Sequence, residues 1–61
     1  MPQITDRLIF SFAQALIDRH GIEAAAIAAA RAAQRLGLGD PDGAAVWRRI
    51  KRAIEDLQIL R

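Results

Sequence analysis

Few residues in the 61-residue chain could do chemistry. Cysteine is absent and His20 is the single histidine, so disulfides, thiolate ligands and a multi-histidine metal site are excluded. His20 has no nucleophile beside it. It falls at the end of a predicted helix, where a cationic imidazole complements the helix dipole, so its role reads as structural. Ser11 and Thr5 belong to no nucleophile motif. Asp40 and Asp42 lack the further oxygens that a hard cation requires, and at a helix start they read as capping residues. The sequence therefore offers no catalytic residue, no metal ligand and no cofactor-binding residue, and the chain is expected not to be an enzyme.

Two groups remain. Arg48, Arg49, Lys51 and Arg52 form a basic cluster that could contact a nucleic acid or an acidic partner. Against this stands a plain solvated helix face, since Lys51–Glu55 and Arg52–Asp56 are i,i+4 pairs worth a few tenths of a kcal/mol each. Trp47 could anchor a partner, but it shares a stripe with Ile50 and Ile54, and the core is the favoured place for it.

Three helices must position these residues, at about 5–20, 22–37 and 41–60, within a single domain over residues 1–61. Thr5 or Asp6 can cap the first, and Gly21 can close it. The alanine-rich second segment is helical on propensity alone. Gly37 and Gly39 stop it. Asp40 caps the third helix, with Pro41 at its first position, where the missing amide costs no hydrogen bond. Val46, Trp47, Ile50, Ala53, Ile54, Leu57 and Leu60 give that helix one clean apolar face.

The faces of the first two helices are wider. In the first, Arg7, Ser11, Gln14 and Asp18 make a narrow polar stripe and nearly everything else is apolar. That arc exceeds the stripe of roughly 100° usual for a surface helix. Leu8, Phe12 and Leu16 are assigned to the core, with Leu36, Trp47, Ile50, Ile54 and Leu57. Phe10, Ala13, Ile17 and Ile9 then form a ridge in need of cover, and are taken as a protein interface. In the second helix, Ile22, Ala25, Ala26, Ala29, Ala33 and Leu36 are assigned inward, and Glu23, Ile27, Arg31, Gln34 and Arg35 outward.

So short a chain cannot bury a large core. Without disulfide or metal, oligomerisation is the usual remedy. The net charge of +2 gives weak long-range attraction to nucleic acid or lipid. The N-terminus lacks the basic region of a secretory signal, and no apolar run approaches the roughly 20 residues that span a bilayer. A cytoplasmic location without membrane contact is expected.

The segment Ala28–Leu57 resembles the helix-turn-helix of winged-helix regulators, with an alanine-rich helix, Leu-Gly, a turn, then Val, two arginines and Ile. The match breaks at Asp40–Asp42, which lengthen the segment by about three residues. Trp47 stands where a base-reading helix carries a small polar residue, and the two acids would repel phosphates.

A second resemblance covers more of the chain. "DRHG" at Asp18–Gly21, "LGD" at Leu38–Asp40, Gly43, Trp47, Ile50 and Leu57 follow a His-Gly, Gly-Asp, Gly, Trp-x-x-Ile pattern. In this the chain is similar, from Phe10 to Leu57, to a family of short helical proteins of unknown function from alphaproteobacteria. That resemblance implies a helical fold and no particular activity. The chain departs from the pattern in its alanine content and in Phe10 and Phe12, where the family has a tryptophan nearby. Both departures bear on packing and partners.

The expectation is an all-α, small three-helix domain with short turns, dimeric. It is a non-enzymatic protein-interaction module or regulator acting on itself or on another protein. A small DNA-binding regulator is the alternative.

Overall fold

The computed structural model describes residues 5–59. Leu60, expected on the apolar face of the third helix, lies outside them. The described residues are helical with no strand: α1 spans Asp6–His20, a 3-10 turn follows at Gly21–Glu23, α2 spans Ala24–Gly37 and α3 spans Pro41–Ile59. The expectation of three helices joined by turns holds only coarsely. Helix runs without a break from residue 6 to 37, so the chain makes two continuous helical stretches, the first bent at Gly21. Gly21 permits the bend because its φ of 59° is open to glycine at little cost. Its N–H donates to Ile17 O, closing α1.

Thr5, not Asp6, caps α1, its hydroxyl accepting from Leu8 N at 3.3 Å. The α2–α3 turn is a Schellman closure: Asp40 N–H donates to Arg35 O at 2.9 Å and Gly39 N–H to Leu36 O at 3.1 Å. Gly39, with φ of 76°, is the left-handed residue, whereas Gly37 is the last helical one. Asp40 then opens α3, its Oδ1 accepting from Gly43 N at 2.9 Å. One residue thus closes one helix with its amide and starts the next with its carboxylate. A Cβ at position 43 would overlap that carboxylate, so Gly43 gives it room.

The core joins all three helices. Ile9, Ala13 and Ile17 of α1, Ala24 and Ala28 of α2, and Ile50, Ala53 and Ile54 of α3 are buried together. Leu16, Ala25, Val46, Trp47 and Leu57 pack against them, half-buried. Ile50 and Ile54 are the large side chains wholly enclosed. They sit opposite alanines, and this large-against-small match lets α2 and α3 approach closely. The two run antiparallel, since contacts occur in opposite chain order: Arg31 over Trp47, and Gly21 against Gln58.

The face of α3 matches the expectation, and the faces of α1 and α2 do not. On α1 the buried ridge is Ile9–Ala13–Ile17, while Leu8 and Phe12 are 46% and 49% exposed. On α2 the buried ridge is Ala24–Ala28–Ala32; Ala26, Ala33 and Leu36 are exposed, and Ala25 and Ala29 are half-buried. Ile22, assigned inward, is 93% exposed, and Ile27, assigned outward, is half-buried. The reason is common to both helices. Where apolar residues occupy most of the circumference, the ridge centred on small side chains packs closest, and the bulky ridge beside it is left outside.

Candidate functional site

The interface ridge expected from the sequence is mostly internal. Ile9, Ala13 and Ile17 belong to the chain's own core, and of the four residues only Phe10 is exposed, at 45%. It lies on the flank of α1 that meets α3, in a cleft with Asp56, Leu57 and Ile59. The uncovered part of α1 is the other flank. At 3.6 residues per turn, Leu8, Phe12 and Ala15 fall within about 60° of one another, and all three are exposed. Thr5 and the first turn hold Leu8, and the buried Ile9 and Ala13 fix the rotation that turns Phe12 outward. The sequence did carry a signal for this ridge, namely an apolar arc too wide for a single buried face. It did not say which edge of the arc would be left over.

The polar stripe runs along the edge of this ridge as expected. Arg7, Ser11, Gln14 and Asp18 are all exposed. The Gln14 amide donates to Asp18 Oδ1 at 3.4 Å. Among the described residues, neither Arg7 nor Asp18 enters an ion pair within the chain.

The basic cluster spans the outer face of α3 and borders two clefts. Arg48 and Lys51 border a shallow groove floored by Ala29, Ala32 and Ala33 and ended by Leu36. Arg49 and Arg52 line a second cleft with Asp6, Ile9, Phe10 and Asp56. Both expected i,i+4 pairs form, Lys51–Glu55 at 3.7 Å and Arg52–Asp56 at 3.4 Å. Half of the cluster is thus engaged by acids of its own helix.

Trp47 is half-buried against the core, with the Arg31 guanidinium 5.5 Å from its ring centroid. This cation–π contact covers part of the indole face from α2. His20 is exposed at the end of α1, whose closing hydrogen bond comes from the Gly21 amide. Asp40 is occupied as a cap and lies 3.9 Å from Arg35. No group of three or more His, Asp or Glu side chains that could hold a metal occurs among the described residues. One contact had no sequence signal: Gln58 Nε2 donates to Gly21 O at 3.0 Å and ties the end of α3 to the α1–α2 bend. No described helix is long and apolar enough to cross a membrane.

The chain matches no family model, no curated protein and no solved structure.

Proposed function

We propose that this protein is a small non-enzymatic interaction module that acts through its helical surface and is homodimeric. The observation that carries the reading is the uncovered ridge of α1. Leu8 and Phe12 are large, adjacent by one turn and about half exposed, while alanines fill much of the interior. Single exposed apolar residues are ordinary, but a contiguous ridge marks a contact surface. The likeness to short alphaproteobacterial helical proteins belongs to the same reading, since it brings a fold and no chemistry.

DNA binding is less well supported. A helix-turn-helix sets its two helices at roughly 90–120° so that the second stands clear to enter a groove. Here α2 lies antiparallel along α3, with Trp47 covered by Arg31 at the position of a base-reading side chain. Two of the four basic residues, Lys51 and Arg52, are paired with acids of their own helix.

Light scattering over a concentration series, with and without duplex DNA at low salt, tests the proposal. The expected result is a dimer that dissociates on dilution, ignores DNA, and becomes monomeric but still helical in Phe12→Asp. A monomer at every concentration that forms a salt-sensitive complex with DNA would establish the alternative.

A further inference from the structure

The geometry points to a specific partner and register for this surface: a second copy of the chain, with the two α1 helices packed antiparallel about a twofold axis near Phe12 and Ala13. This rests on the homodimer reading above and adds the orientation and the residues that set it.

The argument is one of charge symmetry. Arg7 and Asp18 lie on the same flank of α1, beside the Leu8–Phe12–Ala15 ridge, and both are exposed. They are placed symmetrically about the middle of the helix, whose bounds are Asp6 and His20. A twofold axis through that middle maps each end of α1 onto the other. Flanking residues of one side then meet flanking residues of the same side, because antiparallel helices related by a twofold axis face each other with like edges. Arg7 therefore meets the partner's Asp18, and Asp18 meets the partner's Arg7. Phe12 comes next to its own copy at the axis, and Leu8 lies over the partner's Leu16 and Ala15, which closes the apolar seam. Arg19 continues the line of the ridge past Ala15, and its methylene stem lies beside the partner's Leu8.

A parallel pair has none of this complementarity. It sets Arg7 level with the partner's Arg7, and Asp18 with the partner's Asp18. An unrelated protein would need no such internal symmetry in α1. The placement of opposite charges at the two ends of one flank, beside the exposed apolar residues, is what favours the same chain as occupant.

The test exchanges charges. Arg7→Asp and Asp18→Arg are each made alone, with helix content checked by circular dichroism; both sites are exposed, so folding is expected to persist. Each variant alone replaces two attractive contacts by two repulsive ones. Its self-association at low ionic strength, read by sedimentation equilibrium, should weaken by about tenfold. An equimolar mixture restores both contacts in the mixed dimer, and its association should return to the wild-type level. If Phe12→Asp abolishes the wild-type dimer but the two charge variants neither weaken it nor complement each other, the antiparallel register is wrong and the interaction reading survives. If the wild type is a monomer at the highest concentration reached, both fall together.

Discussion

The two alanine ridges of α2 provide a sharp test of the packing. Ala28 is wholly buried, whereas Ala33 is exposed on the neighbouring face of the same helix. Replacing either by leucine adds the same three carbons and changes helix propensity little. At Ala28 these carbons must enter the space between α2 and the Ile50 and Ile54 side chains, both within 2% of complete burial. Overpacking of this kind costs about 1–3 kcal/mol. A chain of this size is held by only about 3–9 kcal/mol, at 0.05–0.15 kcal/mol per residue. Each kcal/mol moves the midpoint of a small domain by about 4–8 °C, so Ala28→Leu should melt at least about 4 °C below wild type. Ala33→Leu, made on an exposed face, should stay within about 0.5 kcal/mol of it. Thermal and urea unfolding of both variants, followed by circular dichroism at one fixed concentration, make the comparison. Equal losses, or a larger loss at Ala33, would refute the assignment of the Ala24–Ala28–Ala32 ridge to the core.

Ile54→Ala empties one of the two large, fully enclosed sites and should cost about 2–5 kcal/mol in urea unfolding; a loss under about 1 kcal/mol would place Ile54 outside the core. Asp40→Ala removes the carboxylate that caps α3, and a loss of about 1 kcal/mol is expected, whereas Asp42→Ala, without a capping bond, should cost less. The double change Arg48→Ala, Arg49→Ala should change the unfolding free energy by less than about 1 kcal/mol. Were the cluster a phosphate-binding surface, removing these arginines would flatten the salt dependence of DNA binding by about 0.9 for every phosphate they had neutralised.

What the sequence disclosed follows a physical division. α3 was legible because its apolar residues recur on one stripe and charged residues fill the remainder, leaving a single orientation in which Ile50 and Ile54 turn inward. The α2–α3 turn was legible because Gly39, Asp40 and Pro41 each have narrow backbone or capping preferences. The first two helices were not, since neither carries enough polar residues to fix its rotation. The alanines of α2 are interchangeable by composition, and the rotation is chosen by the isoleucines they face on another helix. On α1, side-chain size argued for burying Leu8 and Phe12, yet the close approach available at Ala13 decided otherwise. The same reversal moved the candidate interface from Ile9, Ala13 and Ile17 to Leu8 and Phe12, and left Phe10 alone of the original set outside the core.

The small interior and the bulky exterior are connected. Alanine at the helix contacts brings backbones close but removes little apolar area from water per residue. Both phenylalanines, large side chains with much area to bury, are left about half exposed. A Phe or Leu half exposed retains about 100 Å² of accessible surface. Covering Leu8 and Phe12 in two copies would remove about 400 Å², a gross gain of about 10 kcal/mol at 25 cal/mol per Å². Association of two chains costs about 4–15 kcal/mol in lost freedom. Gain and cost are of one size, so the apolar ridge by itself makes association concentration-dependent rather than permanent. In that regime a modest electrostatic preference acquires leverage. In the proposed dimer the two Arg7–Asp18 contacts would be worth little as exposed pairs, but they would separate the antiparallel from the parallel arrangement of a seam whose apolar part discriminates weakly. In the proposed dimer the ridge would accordingly govern how tightly the helices associate, and the flanking charges which way round.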